Sequence, residues 1–427
     1  MNIRFYNVKV LTMAHDFQIN EGELWVEGKV ITYIGESKSM EEVNQVSWDR
    51  QMDGKGNLIM PGFKNAHTHS AMTFLRSYAD DLPLLEWLTR QVFPMEAKID
   101  EEDIYHLSKL AIMEYLTSGV TANFDMYITP DTIAKASIDC GFRTVMVGGL
   151  SNFSQSIEEI ENWYKKWNQE SDLISFVLGF HAEYTSSEEL LRKLASLAKK
   201  YKAPVYTHNS ESALEVRQCI ERHGKTPTQF LDSLGIYDYG GGGYHCVHMT
   251  DQDLNLFKEK NLSVVTNPAS NTKLASGIAP IQKMMDLGIN VAIGTDGPAS
   301  NNCLDMFREM FLVTGLAKLY SMDASALDAN QVLYMATVGG AKAMGLENCD
   351  TLEVGKYADI IMIDLHQPNM QPINNITKNI VYSGSKQNVK MTMINGKILY
   401  EDGNFYIGAV PEEIYDKANE IINRIRY

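Results

Sequence analysis

The segment Asn65-Ala66-His67-Thr68-His69 carries the most direct chemical signal in this sequence. It ends an apolar run that begins at Leu58 and is typical of a buried strand. Because side chains two positions apart on a strand share a face, His67 and His69 can present two imidazoles to one metal ion. The chain has 10 histidines in 427 residues, so the pair alone is weak evidence. Other parts of the chain must supply further ligands.

Six of the 10 histidines, and Asp296, fall at or just after short apolar segments that are typical of strands. Three neutral imidazoles and one carboxylate are a suitable ligand set for Zn²⁺ and leave an open position for water. The metal would lower the pKa of that water to roughly 7 and so provide hydroxide at neutral pH. Fe²⁺ or Ni²⁺ would accept the same donors. We predict one divalent metal ion, Zn²⁺ in the first instance, bound by His67, His69, His208 and Asp296.

A hydrolytic metal site also needs a group that moves protons. Glu211 lies three residues after His208, where the strand should turn into the next helix, and we predict that it is the general acid/base. His245, on the next strand, would orient or deprotonate the metal-bound water. A hydrogen-bonded core histidine is the alternative for His245, but its placement beside the other ligands favours catalysis. Strand alternation turns His248 to the opposite face, which predicts a supporting or structural role.

The elements that must position these residues alternate between strands and helices from Leu58 to about Gly345. Short apolar runs separated by stretches of helical periodicity are typical of βαβ units. Eight such units predict a (β/α)₈ barrel, whose catalytic groups gather at the carboxyl ends of the strands. A doubly wound open sheet is the alternative that periodicity leaves open. The predicted strands are 58–65, 120–126, 143–148, 175–180, 204–207, 244–248, 263–267 and 290–294, and the clearest helices are 102–117, 187–200, 251–260 and 304–320.

Both flanks of this region alternate apolar and polar residues, as in half-buried strands. Residues 23–31 suggest a hairpin about Gly28, and Asn395-Gly396 is a favoured type I′ hairpin turn. Neither flank alone can bury both faces of a sheet, so we predict that they join. The expected organisation is a composite small β domain of residues 1–57 and 356–427, ending in a helix over 411–427, beside a barrel of residues 58–355.

Composition excludes several classes of function. The formal net charge of −16 repels a phosphate backbone or an anionic membrane surface, so no nucleic-acid partner is expected. No apolar stretch reaches the roughly 20 residues that span a bilayer, and no signal-peptide core follows Met1, so no membrane partner and a cytoplasmic location are expected. The five cysteines are scattered, which argues against a disulfide framework or a zinc ribbon. A homo-oligomer remains an open alternative.

With these residues in view, the chain resembles the amidohydrolase superfamily, and within it the group of methylthioadenosine/S-adenosylhomocysteine deaminases and chlorohydrolase-like enzymes. The resemblance covers nearly the whole chain, and its combined motifs are far more specific than the histidine pair. They occupy residues 61–69, 72–76, 80–88, 245–248, 267–277 and 294–302, and include Pro61-Gly62-Phe63-Lys64-Asn65-Ala66-His67-Thr68-His69, His245-Cys246-Val247-His248, Asn267-Pro268-Ala269-Ser270-Asn271 and Gly294-Thr295-Asp296-Gly297.

The resemblance implies a distorted (β/α)₈ TIM barrel with a small β-sandwich domain formed by both termini. It also implies one divalent metal on the four ligands chosen above, with Glu211 and His245 as the catalytic pair. In such enzymes a metal-bound hydroxide attacks C6 of an adenine ring, the glutamate protonates the ring nitrogen and ammonia leaves. The implied activity is therefore the conversion of the adenine base of a small-molecule nucleoside to hypoxanthine.

Substrate contacts are assigned from the same resemblance. Glu96 matches a glutamate that accepts hydrogen bonds from the ribose diol, although a solvated surface acid is the alternative for that residue type. It lies in the segment 70–100, which could form a lid containing Trp87. His181 and Ser300 match positions that line the base pocket.

One position departs from the family pattern. Enzymes that act on S-adenosylhomocysteine have an arginine near the end of the third strand, where this chain has Gly148, and residues 151–156 contain no arginine either. A buried substrate carboxylate needs a cationic partner. We therefore expect adenosine, 5′-deoxyadenosine or methylthioadenosine as the type of substrate, with S-adenosylhomocysteine less favoured.

Two alternatives remain at this stage. A guanine, pterin or triazine deaminase or chlorohydrolase would use the same metal chemistry on another ring, but a ribose-binding acid at Glu96 would then have no purpose. An inactive amidohydrolase scaffold acting as a binding module is the alternative of another class. Retention of every expected ligand and of Glu211 argues against it.

Overall fold

Two sheets organise the chain. The computed structural model describes residues 1–15, 17–78 and 80–426. The strands are β1 (Asn2–Leu11), β2 (Ile19–Glu27), β3 (Val30–Gly35), β4 (Arg50–Asp53), β5 (Leu58–Pro61), β6 (Phe63–Thr68), β7 (Val120–Met126), β8 (Arg143–Val147), β9 (Ile174–Ala182), β10 (Val205–Asn209), β11 (Gly241–His245), β12 (Ser263–Thr266), β13 (Asn290–Ile293), β14 (Ile360–Ile363), β15 (Val389–Ile394), β16 (Lys397–Glu401) and β17 (Asn404–Phe405).

Helices follow most of the strands in the central part of the chain. The α-helices are α1 (Met40–Val43), α2 (Leu84–Trp87), α3 (Phe93–Glu96), α4 (Glu101–Thr117), α5 (Pro130–Cys140), α6 (Ile157–Glu170), α7 (Glu188–Tyr201), α8 (Ala213–His223), α9 (Pro227–Ser233), α10 (Asp251–Glu259), α11 (Pro268–Lys273), α12 (Ile281–Asp286), α13 (Met306–Ser321), α14 (Ala329–Ala336), α15 (Val338–Met344), α16 (Ile376–Tyr382) and α17 (Pro411–Arg426). None of the helices in the described ranges has the length and apolar character that crossing a membrane requires.

Strands β6 to β13 form one parallel sheet in chain order. Its two edge strands approach each other, since the Asp296 amide donates to the His67 carbonyl at 3.0 Å and the Thr295 amide donates to Asn65 Oδ1 at 2.8 Å. The sheet is therefore a nearly closed eight-stranded barrel with helices outside it. The predicted barrel is confirmed, and the doubly wound alternative is wrong.

Local sequence signals explain the regular elements of this barrel. Every residue of β7 and β8 is buried, as expected for strands covered on both faces. Helix α4 begins at Asp100, whose side chain forms a reciprocal capping box with Asp103. Helix α5 ends at Gly141, which has the left-handed φ of 73° that glycine tolerates best. Caps and apolar runs together place these barrel elements where periodicity predicts them.

The predicted first strand, 58–65, is divided in the structure. Gly62 separates β5 from β6: β5 pairs with β1 and β14 of the other sheet, and β6 enters the barrel. A Cβ at Gly62 would lie 2.0 Å from the Thr121 side chain, so the crossing between sheets needs glycine. The apolar run is continuous across this point, and periodicity alone therefore joins two strands into one.

The predicted sixth strand, 244–248, is also shifted. Strand β11 covers Gly241–His245, and positive φ angles at His245 and Cys246 then turn the chain out of the sheet. A Cβ at Gly242 would lie 2.2 Å from the Ser263 carbonyl oxygen, so close strand packing explains the glycines. A glycine run carries no hydrophobic pattern, which is why the prediction began three residues late.

The second sheet contains nine strands from both ends of the chain, in the order β17-β16-β15-β14-β5-β1-β2-β3, with β4 paired to β1. The predicted hairpins form β2 with β3 about Gly28, and β15 with β16 about Asn395-Gly396. The sheet has a core of its own, which includes Phe5 and Met393. Joining of the two flanks is confirmed; the boundaries 57/58 and 355/356 stay a prediction, and β5 lies just past the first of them.

The predicted terminal helix, 411–427, corresponds to α17, and Tyr427 lies outside the described residues. Helix α17 packs on the barrel helix α4, where Arg424 forms an ion pair with Asp103 and Lys98 Nζ donates to the Ile425 carbonyl at 2.7 Å. The last helix thus contacts the barrel rather than extending the terminal sheet.

Candidate active site

The predicted metal ligands meet at the carboxyl end of the barrel. His67 lies in β6 and His69 directly follows it, His208 lies in β10, and Asp296 follows β13 by three residues. His245 is the last residue of β11. Five different positions of the chain thus converge because the carboxyl ends of the barrel strands share one face.

The ligand atoms form two overlapping groups around His67. The atoms of His67, His69 and Asp296 lie within 4.8 Å of one another, and so do those of His67, His208 and His245. Asp296 Oδ1 is 3.5 Å from His67 Nε2 and 3.3 Å from His69 Nε2. The structure therefore brings three of the four predicted ligands into one group. The fourth, His208, belongs to the second group, which shares His67 with the first.

The donor atoms of this cluster fit a divalent cation. Both ring nitrogens of His67 are buried without a hydrogen-bond partner among the described residues. His69 and His208 each donate from Nδ1 to a backbone carbonyl at 2.6 Å, that of Met126 and of His181, which leaves each Nε2 lone pair for a metal. An unpaired buried nitrogen between two oriented imidazoles and a carboxylate is the arrangement that a metal ion would satisfy.

Burial sets the protonation of these imidazoles. It lowers the pKa of His67 to about 3 and the pKa of His208 well below its usual range, so both are neutral ligands. At His69, burial is outweighed by the hydrogen bond and charge of Asp296, which raise the pKa to about 9. A metal ion binding at this cluster must displace the His69 proton.

Two serine hydroxyl groups hold the Asp296 carboxylate in place. Its Oδ2 accepts hydrogen bonds from Ser270 Oγ at 2.7 Å and Ser300 Oγ at 2.8 Å. Although burial opposes ionisation, the imidazoles of His67 and His69 beside the carboxylate keep the pKa of Asp296 well below its usual range. Ser300, predicted to contact substrate, thus supports the carboxylate and is not among the described residues that line the cavity.

Glu211 and His245 form a second buried pair beside the cluster. His245 Nε2 is 3.8 Å from Glu211 Oε2 and 4.0 Å from Asp296 Oδ2. His245 Nδ1 donates to Asn271 Oδ1 at 2.8 Å, and Ser276 Oγ donates to Glu211 Oε1 at 3.3 Å. Burial raises the pKa of Glu211, which favours a carboxyl that holds a proton.

The backbone that carries Glu211 is fixed by another acid. Glu215 is buried and accepts hydrogen bonds from the amides of Ser210, Glu211 and Ser212 at 3.0, 2.8 and 3.4 Å. Ser210 has a positive φ of 53°, a conformation that needs such support. The side chain of Glu215 therefore determines where Glu211 points.

A cavity of about 650 Å³ opens above the cluster. Three predicted substrate residues, Trp87, Glu96 and His181, line it. Burial raises the pKa of Glu96 to about 7. His181 Nδ1 lies 3.1 Å from Thr185 Oγ1. Trp87 Nε1 has no hydrogen-bond partner among the described residues, so a polar group of a ligand can satisfy it.

Several residues of this site carried no predicted role. The buried Tyr127 hydroxyl lines the cavity without a partner of regular geometry among the described residues, and Tyr244 stacks on His67 with ring centroids 3.8 Å apart. Asn271 lies in the family motif at residues 267–277, for which no individual role was predicted. Glu215 could have been found, because Ser212 and Glu215 form the Ser-x-x-Glu pattern of a capping box.

His248 lies beyond the end of β11, so the alternation argument applied to it was wrong. Its Nε2 is 2.7 Å from the Ser276 carbonyl oxygen, to which it donates. Ser276 in turn donates to Glu211. His248 thus supports the segment that contacts the proposed proton-transfer residue.

Comparisons with known proteins agree with this geometry. A sequence profile of the Amidohydrolase family matches residues 58–399. A 5-methylthioadenosine/S-adenosylhomocysteine deaminase from Caldanaerobacter subterraneus subsp. tengcongensis is 39% identical over 100% of this chain and 99% of its own. A 5′-deoxyadenosine deaminase from Methanosarcina mazei is 39% identical over 98% of each chain. The crystal structure of an adenosine deaminase from Xanthomonas campestris with bound zinc is 31% identical, covers 100% of this chain and 98% of that chain, and has a TM-score of 0.93.

Proposed function

The chain belongs to the amidohydrolase family, and from this premise we propose that it hydrolytically deaminates the adenine base of a nucleoside, releasing ammonia and leaving hypoxanthine. The observation that carries the proposal is the convergence of the Asp296 cluster with the Glu211–His245 pair at the inner end of one cavity. Full-length similarity to proteins named as deaminases of adenine nucleosides supports this choice of ring.

We assign His67, His69, His208 and Asp296 as the ligands of one zinc ion, as the zinc in the similar Xanthomonas protein suggests. Such an ion supplies Lewis acidity that lowers the pKa of a water molecule. The carbonyl-bound Nδ1 atoms of His69 and His208 fix the tautomer in which Nε2 faces the ion. The orphaned nitrogens of buried His67 support the same assignment.

We assign proton transfer to Glu211 and His245. The hydrogen bond from Nδ1 to Asn271 leaves His245 Nε2 as an acceptor that faces both Glu211 and Asp296, so it is placed to take a proton from the attacking water. Glu211, whose pKa is raised by burial, delivers a proton from its carboxyl to the ring nitrogen next to C6. His245 then passes the proton that it took from water to the amino group, the C6–N bond breaks and ammonia leaves. The C6 hydroxyl group loses its proton to Glu211 as the carbonyl of hypoxanthine forms, which restores both residues.

Glu96 distinguishes a nucleoside from a free base. Its carboxylate lines the cavity and would accept hydrogen bonds from the ribose hydroxyls. Trp87 Nε1, which has no partner among the described residues, offers a donor in the same cavity. A guanine or triazine ring alone has no ribose hydroxyls to donate to this half-buried acid. His181, also on the cavity wall, is assigned to the base. These contacts favour nucleoside deamination over its alternatives.

The experiment is a substrate panel on zinc-loaded protein, with ammonia release as the readout. Adenine nucleosides should release ammonia, and guanine, pterins and triazines should not. Glu96→Ala should weaken kcat/KM for a nucleoside by roughly 1–3 kcal/mol and leave free adenine unchanged. Glu86→Ala, at an exposed position on α2, is the matched control. Ammonia from guanine or a triazine but from no nucleoside would refute the proposal.

A further inference from the structure

The cavity has a buried inner end and an exposed mouth. The catalytic residues at the inner end are almost fully buried, with His245 at 1% and Glu211 at 5% exposure. Two aromatic lining residues mark the mouth, because Phe153 is 88% exposed and Phe93 is 45% exposed. If C6 of a nucleoside reacts at the inner end, as the proposed function requires, the 5′ substituent at the opposite end of the molecule reaches the mouth.

The charge of this cavity is one-sided. Its described lining residues include the carboxylates of Glu96, Glu211 and Asp296 and contain no lysine or arginine. An amino-acid tail on the 5′ carbon would bring a carboxylate that finds no cationic side chain here. Away from the proposed metal ligands, the described lining therefore offers no cationic side chain to an anionic group.

Two polar side chains near the mouth, those of Gln155 and Ser151, form hydrogen bonds with the local backbone. Gln155 Oε1 accepts from the Gly149 amide at 2.8 Å, and Gln155 Nε2 donates to the Tyr127 carbonyl at 3.0 Å. Ser151 Oγ accepts from the Phe153 amide at 3.2 Å. These hydrogen bonds hold the Gln155 amide and the Ser151 oxygen in the turn.

Phe153 is presented by that turn. The Ser151 amide donates to the Ser154 carbonyl at 2.9 Å and closes a turn that contains Phe153. An aromatic ring with 88% exposure gains free energy when an apolar group covers it. Ile128, on the same lining, adds apolar surface.

We propose that the mouth of the cavity is a subsite for a small, uncharged, apolar 5′ substituent, and that Phe153 is the residue that covers this substituent. The inference rests on the proposed function and narrows it. Among nucleosides, a 5′-methylthio group fits this chemistry, whereas the zwitterionic tail of S-adenosylhomocysteine does not.

The test compares kcat/KM of zinc-loaded wild-type protein and variants for adenosine, 5′-methylthioadenosine and S-adenosylhomocysteine. The wild type should prefer 5′-methylthioadenosine and discriminate against S-adenosylhomocysteine by at least about tenfold. Phe153→Ala should lower kcat/KM for 5′-methylthioadenosine about fivefold to tenfold and change adenosine by less than about twofold. Phe153→Leu, which keeps an apolar cover, should retain most of the preference.

Phe311→Ala removes a 55% exposed phenylalanine from α13, away from the cavity lining, and is the matched control. Equal efficiency toward 5′-methylthioadenosine and S-adenosylhomocysteine, or an equal loss for all substrates in Phe153→Ala, would overturn this inference while nucleoside deamination stands. Failure of the wild type on every nucleoside would instead overturn the proposed function itself.

Discussion

Replacing Glu215 by glutamine tests how the reactive carboxyl is positioned. The Glu215 carboxylate accepts hydrogen bonds from three consecutive amides, and the shortest, 2.8 Å, comes from the amide of Glu211. Glutamine has nearly the same size but turns one acceptor into an NH₂ donor, which faces a buried N–H group. An unpaired buried donor costs roughly 1–3 kcal/mol, and the turn at 210–212 must move to relieve it.

If that movement displaces Glu211 from its proton-transfer position, kcat should fall by about 5- to 150-fold, which is the same free energy expressed as a rate. KM and zinc content should change little, because neither Glu96 nor the metal ligands depend on Glu215. Steady-state kinetics of ammonia release, with zinc measured on the same sample, gives all three quantities.

Glu221→Gln, at an exposed position on the same helix α8, is the matched control and should behave as wild type. Glu215→Asp keeps the carboxylate and should recover part of the lost kcat. A folded, zinc-loaded Glu215→Gln protein with wild-type kcat would show that this clamp does not position Glu211.

Three further perturbations have outcomes that follow from single contacts. Burial raises the pKa of Glu96 to about 7, so protonation of its carboxylate should raise KM for a nucleoside as the pH falls through 7, and Glu96→Gln should flatten that rise. A wild-type KM that is constant over this range would contradict this prediction. Asn271→Ala removes the acceptor of His245 Nδ1 and should lower kcat about 10- to 100-fold, measured as a function of pH. An unchanged pH-rate profile would show that Asn271 does not orient His245. Arg143→Met removes the cationic partner of the buried Asp359 and should lower the free energy of unfolding by roughly 3–5 kcal/mol, measured by urea titration, and Arg143→Met/Asp359→Leu should recover most of this loss. A loss below about 1 kcal/mol in Arg143→Met would show that this ion pair is not needed for stability.

Sequence patterns predicted the barrel well where each strand has its own apolar run and each helix its own cap. Strand β7 is found at the predicted residues, and α4 begins one residue earlier than predicted. Two groups that share His67, one with His69 and Asp296 and one with His208 and His245, follow from one rule, the gathering of functional groups at strand ends. Residue type and strand position together were therefore sufficient for the core of the candidate site.

What the sequence could not reveal depends on contacts between distant segments. The division at Gly62 arises because Thr121 packs against it, and the early start of β11 arises because its glycines pack against neighbouring strands. The exposed ring of Phe153 at the cavity mouth, and the buried hydroxyl of Tyr127 within the cavity, are likewise visible only in three dimensions. A linear pattern carries no information about which surface a side chain meets.

Zinc dependence of nucleoside deamination is the most direct test of the central claim. The same protein preparation is assayed with an adenine nucleoside after zinc loading, after removal of metal by a chelator, and after reloading with zinc. One ammonia and one hypoxanthine nucleoside should form per substrate consumed, both should be lost on metal removal, and both should return on reloading. Deamination that is unaffected by complete removal of the metal, or no ammonia from any adenine nucleoside with zinc bound, would contradict this claim.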